Sequence, residues 1–114
     1  MAMILWHNPR CSKSRQTLAL LEERGVVFEV RKYLEDAPSL AELTAAQVSL
    51  QVPVLAMMRV KEAEFEALGL SQDSTEAELL AAMAKVPKLI ERPVFFSGDK
   101  AAIGRPPEKV LDIL

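Results

Sequence analysis

Apolar residues change period repeatedly along this chain, and the changes mark out its elements. Met3-Ile4-Leu5-Trp6 is an unbroken apolar run too short for a helix, which predicts a buried strand. Leu18 and Leu21, on one stripe with Ser14 and Gly25, then predict a helix from about Ser12 to Arg24 that Gly25 closes. Val26 to Val30 alternates weakly and predicts a second strand. Residues 2 to 30 therefore read as a parallel, right-handed strand-helix-strand unit.

The middle of the chain is helical in pattern. Pro38-Ser39 predicts a helix start before Leu40-Ala41-Glu42-Leu43, Val54 to Met58 a short apolar turn, and Glu64 to Leu68 another that Gly69 ends. Asp73 and Glu76 have the spacing of a capping box, and Leu79, Leu80, Met83 and Val86 trace the buried stripe of the helix they open. The pair Met57-Met58 reads as core filling. After Pro87 the strand pattern returns: Pro93 to Phe96, a turn at Ser97-Gly98-Asp99-Lys100, and a return strand Ala101-Ala102-Ile103. Pro106-Pro107 predicts the start of a last helix carrying Val110, Leu111 and Leu114. The expectation is an α/β fold in a single domain over residues 1–114, with a helical insertion at about 38–86.

Composition narrows the function. Half of the 114 residues are apolar and the formal charge is −2, so no global field favours nucleic acid or an acidic membrane surface. Apolar runs are far short of a membrane span, and the N-terminus has no basic head with a long apolar core, which predicts a soluble cytoplasmic protein. Anion recognition, if present, is local.

The chemistry concentrates around the single cysteine. Cys11 lies in His7-Asn8-Pro9-Arg10-Cys11-Ser12-Lys13-Ser14-Arg15, between the first strand and the first helix, and no acidic residue precedes Glu22. At the carboxyl end of a strand in an open α/β sheet, this is where ligands bind. Unsatisfied N–H groups of the helix start, with Arg10, Lys13, Arg15 and His7 as nearby cations, favour a thiolate and an anion pocket. A free cysteine titrates near ~8.5, so near-complete ionisation at neutral pH calls for about 3 to 4 kcal/mol. A helix terminus supplies about 0.3 to 1 kcal/mol and at best about 2. At least one cation must therefore stand near the sulfur.

Further candidates lie elsewhere in the sequence. Arg92 and Arg105 each precede a proline, in Glu91-Arg92-Pro93 and Gly104-Arg105-Pro106, which restricts their backbones and suits a planar fork aimed at an oxyanion. Arg59 follows the apolar turn that ends at Met58. His7 fits either a proton carrier or a residue that packs behind the loop. One cysteine and one histidine leave no metal constellation, and neither a Gly-rich dinucleotide motif nor a P-loop occurs. Ser14 stands where a resolving cysteine would complete a C-x-x-C motif, so the chain cannot close its own disulfide and must borrow an external thiol.

The His7–Arg15 segment with Thr17-Leu18 resembles the active-site loop of the glutathione- and glutaredoxin-dependent arsenate reductases. The likeness continues in order through Tyr33-Leu34-Glu35, Arg59, Glu66 to Leu70, Lys88 to Pro93, Gly104-Arg105-Pro106 and Val110-Leu111. It implies a thioredoxin-like fold with a cis peptide before Pro93. It implies Cys11 as nucleophile and Arg59, Arg92 and Arg105 as the arginines that neutralise arsenate or a similar oxyanion. His7, Asn8, Arg10, Ser12, Ser14, Arg15 and Pro93 would line the substrate site, with His7 and Ser14 stabilising the thiolate. Glutathione would be co-substrate and glutaredoxin the protein partner, with no tightly bound cofactor, metal, nucleic acid or membrane. The chain's length is similar to that of the shorter chromosomal members. Alternatives are another glutathione-linked thiol oxidoreductase, or a non-catalytic partner-binding protein similar to the Spx-type regulators, whose C-x-x-C switch is missing here.

Overall fold

The computed structural model of the protein describes residues 3–114. Residue 2, where the strand-helix-strand reading begins, lies outside the described residues. The chain groups into two compact units, one reaching to Asp36 and resuming at Arg92–Leu114, the other Ala37–Glu91.

The first unit is a four-stranded mixed sheet with helices. Strands β1 (Met3–Trp6), β2 (Glu29–Arg31), β3 (Val94–Ser97) and β4 (Lys100–Ile103) lie in the order β2-β1-β3-β4. Only β1 and β2 are parallel, joined through α1 (Ser12–Glu23). Leu5 and Phe95 face each other across β1 and β3 and meet Leu21 and Val110 in the buried core, with Leu18, Val26 and Phe28 packed against it. Burying each such side chain is worth about 1.5 to 3 kcal/mol. On the opposite face the Trp6 and Phe96 rings meet at a tilt of 57° with centroids 4.7 Å apart, and the Arg31 guanidinium lies over Trp6.

The second strand starts later than the pattern predicts. Gly25, at φ +68°, donates to the Glu22 carbonyl and Val26 donates to that of Leu21, the paired bonds that close a helix through a left-handed glycine. Val26 thus spends its N–H on the helix, Val27 is 92% exposed, and the ladder with Ile4 begins only at Glu29. The final helix is a 3₁₀ segment, Pro107–Ile113. Its inward residues Pro107, Val110 and Ile113 recur every third position, the period of a 3₁₀ turn. Gly98, at φ +64°, makes the β3–β4 turn. Arg92–Pro93 is cis, as the resemblance implies, and so is Arg105–Pro106.

The second unit is helical. In α2 (Leu40–Leu50), Ser39 Oγ accepts from the Glu42 N–H and the Glu42 carboxylate accepts from that of Ser39. A 3₁₀ turn (Val54–Met57) and α3 (Ala63–Ala67) follow, and Met57 and Met58 are both buried. The capping box of α4 (Glu76–Lys85) is Thr75 with Glu78, not Asp73 with Glu76: Thr75 Oγ1 accepts from the Glu78 N–H at 3.1 Å. Asp73 instead belongs to the preceding turn, where its N–H donates to Ser71 Oγ. Leu79, Leu80, Ala82 and Met83 are the buried face of α4, whereas Val86 ends it half-buried.

Candidate functional site

A folded loop delivers Cys11 from β1 to the first turn of α1. The Cys11 N–H donates to the Asn8 carbonyl at 3.0 Å, the Arg10 N–H to Asn8 Oδ1, and the Asn8 N–H to Ser14 Oγ. The first two are short local bonds of the kind asparagine favours over helix or strand, and the third reaches six residues on into α1. Cys11 is the N-cap of α1, at φ −97° and ψ 125°, so its side chain stands at the end where backbone N–H groups lack partners. Ser14 is wholly buried, Asn8 and Cys11 are half-buried, and Pro9, Arg10, Ser12, Lys13 and Arg15 are exposed.

The sulfur is held below the ordinary thiol range by opposed causes. Burial pushes the thiol up; the N–H groups of Ser14 and Lys13 and the guanidinium of Arg92 push it down and prevail. Helix end and cation thus act together, as the energies demanded. The cation is not one of the loop's own. Arg15 turns its Nη1 to the Pro9 carbonyl at 2.9 Å, and Arg10 is exposed. Burial, then Lys32 and Arg15, push His7 below the usual imidazole value, which disfavours its charged form. Its Nδ1 shares a 2.7 Å hydrogen bond with Ser14 Oγ. His7 therefore secures the residue whose backbone N–H reaches the sulfur.

Two distant arginines join this loop. Arg92 meets Cys11 directly, and Arg105 donates from Nη1 to the Arg92 carbonyl at 3.2 Å. Their segments are fastened by the Gly104 N–H, which donates to the Pro93 carbonyl at 2.9 Å. A Cβ on Gly104 would stand 2.6 Å from Thr17 Oγ1 and 2.8 Å from Pro93 Cγ, so only glycine lets this strand end close against α1 and the buried Pro93. Sequence reasoning passed over Thr17 and Gly104 as positioning residues, although a glycine directly before Arg105 was the available signal. Arg59 lies in the helical unit, its N–H bonded to the Leu89 carbonyl and its guanidinium paired with Glu62. No metal-holding cluster of His, Cys, Asp and Glu occurs among the described residues, and no described helix is long and apolar enough to cross a membrane.

Known proteins are similar to this chain along its length. Residues 6–113 match the ArsC family. An arsenate reductase of Haemophilus influenzae is 47% identical over 116 aligned residues covering 100% of both chains, and one from Neisseria meningitidis is 46% identical over 96% of each. The solved structure of an arsenate reductase from Vibrio cholerae superposes with a TM-score of 0.96 at 49% identity, covering 100% of this chain and 98% of that one. The α/β, thioredoxin-like expectation holds, and the match over residues 6–113 together with these full-length likenesses places this chain in the ArsC family, homologous along its length to arsenate reductases.

Proposed function

We propose that this protein reduces arsenate to arsenite in the cytoplasm, with Cys11 as nucleophile and glutathione and glutaredoxin as reductants, the helical unit being an insertion in one domain. The observation that carries the reading is the place of Cys11 as the N-cap of α1, where the N–H groups of Ser14 and Lys13 and the Arg92 guanidinium lower its thiol. Such a sulfur ionises more readily than a free thiol and sits beside a donor for the oxyanion it attacks.

The Cys11 thiolate attacks arsenic(V) and an oxygen leaves as water, forming a sulfur–arsenic bond. Glutathione displaces a second oxygen as water. A glutaredoxin thiolate then attacks the glutathione sulfur, the glutathione–arsenic bond pair stays on arsenic, and arsenic(III) results with a glutaredoxin–glutathione disulfide. Hydrolysis releases arsenite and returns Cys11. Arg92, Arg105 and Arg59 balance the oxyanion's charge, a task suited to forked donors. Supporting the external reductant is Ser14, which occupies the position of a resolving cysteine. Supporting Arg59 is the family likeness, which runs through its segment.

The test is arsenite formation with glutathione and glutaredoxin present, each omitted in turn, for wild type and Cys11→Ser. Turnover is expected only in the complete wild-type mixture, with an arsenate-dependent glutathione adduct on Cys11 by intact mass. A glutathione mixed disulfide at Cys11 without arsenate turnover would assign the thiol to another glutathione-linked reaction.

A further inference from the structure

Within residues 37–91, four charges form a continuous chain. Arg59 Nη2 pairs with Glu62 Oε1, the other oxygen of that carboxylate lies 3.5 Å from Lys88 Nζ, and the same ammonium is 3.2 Å from Glu64 Oε2. The backbone under Arg59 is fixed on both sides: its N–H donates to the Leu89 carbonyl at 2.8 Å and its carbonyl accepts from the Glu62 N–H at 3.2 Å. Arg59 and Glu62 side chains are 21% and 20% exposed, whereas Lys88 is 50% exposed. The inner pair is thus sheltered and the outer cation is in water.

We infer that Glu62 is a positioning residue for Arg59, clamping the guanidinium through one nitrogen and leaving its other donors oriented for an oxyanion. An unclamped arginine loses rotamer freedom when it grips a ligand; one already held by a carboxylate three residues on has lost it beforehand. The clamp has an electrostatic drawback, because a carboxylate beside an anion site repels the anion. Lys88 counters it by sharing the same carboxylate, and Glu64 in turn holds Lys88, whose ammonium is stabilised first by Glu64 and then by Glu62. The outer pair thereby secures a cation for Glu62 without touching Arg59. The inference rests on the reading of Arg59 as an oxyanion ligand.

Steady-state arsenate kinetics of Glu62→Ala and Glu62→Gln, each alone and combined with Arg59→Ala, test it, alongside the rate at which phenylglyoxal labels Arg59, mapped by peptide mass. Glu62→Ala is expected to raise KM for arsenate roughly three- to tenfold with a smaller change in kcat, and to speed labelling of Arg59. Glu62→Gln, whose amide oxygen still accepts from Nη2, should stay within about twofold of wild type. Neither should add to Arg59→Ala. Wild-type KM and labelling in Glu62→Ala, or equal impairment in Glu62→Gln, overturns the inference. An unchanged KM in Arg59→Ala overturns instead the assignment of Arg59 to the oxyanion, and the labelling rate still decides whether Glu62 holds it.

Discussion

His7 Nδ1 and Ser14 Oγ lie 2.7 Å apart beneath the loop that carries Cys11, and the same Ser14 oxygen accepts the Asn8 N–H. One buried hydroxyl therefore ties the end of β1, the loop and the first turn of α1 together. The sulfur owes its environment to this tie, because the Ser14 N–H that lowers it is held in place by the Ser14 side chain.

Removing that hydroxyl should be costly. Ser14→Ala leaves the Asn8 N–H and His7 Nδ1 without their shared partner, and an unsatisfied buried group costs about 1 to 3 kcal/mol. Urea unfolding should show a loss in that range, and alkylation of Cys11 should shift to higher pH as the first turn loosens. Unchanged stability with an unchanged alkylation profile would refute the tie.

The lowered His7 pKa predicts how stability responds to acid. Its folded value lies below its unfolded value near ~6.5, so the unfolded state binds more protons and stability rises with pH through that interval. As pH falls below about 6.5, stability should drop with a slope from this residue of at most about 1.4 kcal/mol per pH unit, flattening below the folded value. His7→Asn should lose this component, which paired urea titrations at several pH values measure.

Arg92 should govern the reactivity of Cys11. The alkylation midpoint is expected below the free-thiol value near ~8.5 in wild type and to move up in Arg92→Ala, with Arg92→Lys between them because a point charge replaces the fork. Arsenate kcat/KM should fall roughly ten- to hundredfold in Arg92→Ala, the worth of a hydrogen bond to a charged group. Because the folded thiol pKa is depressed, the stability of wild type relative to Cys11→Ser should rise with pH from the folded value toward the unfolded one. A midpoint indifferent to residue 92 would leave the helix terminus alone to explain the thiol.

Local signals were legible where one residue decides the outcome. Gly25 ends α1, Ser39 starts α2 and the Gly98 turn joins β3 to β4, since caps and turns depend on a single φ or hydroxyl. Signals failed where two candidates competed for one role. Asp73 and Thr75 both precede an acidic residue by three, and only the folded turn shows that Asp73 is committed to Ser71. At the site, the need for a cation at the sulfur followed from energies alone, but its identity did not. The loop's own arginines are nearer in sequence, whereas Arg92 arrives through β3 pairing with β1. Thr17 was invisible for the same reason, and Gly104 showed only as the glycine before Arg105, their contact being a matter of sheet geometry.

The cap assignment of α4 is itself testable. Thr75→Ala should destabilise by about 1 kcal/mol, the usual worth of an N-cap hydroxyl. Asp73→Ala, away from the cap, should change stability by less than about 0.5 kcal/mol. Chemical denaturation of the two variants separates them, and the reverse ranking would restore Asp73 as the helix opener.

Gly104 offers a test of how Arg92 and Arg105 are held. No unusual backbone angle requires glycine there; the requirement is space, since an added Cβ would meet Thr17 Oγ1 at 2.6 Å and Pro93 Cγ at 2.8 Å. Neither neighbour yields easily, because Thr17 Oγ1 donates to the Lys13 carbonyl at 2.9 Å and Pro93 is buried. Gly104→Ala should therefore cost about 1 to 3 kcal/mol as an overpacked contact. The strain falls between Pro93 and Arg105, so it should also lengthen the bond from Arg105 to the Arg92 carbonyl and reduce arsenate turnover more than stability at working temperature explains. Adding Thr17→Ala removes the nearest clash and should restore part of both losses, although the Pro93 contact remains. If Gly104→Ala is as stable and active as wild type, the close approach of β4 to α1 is not what seats the arginines.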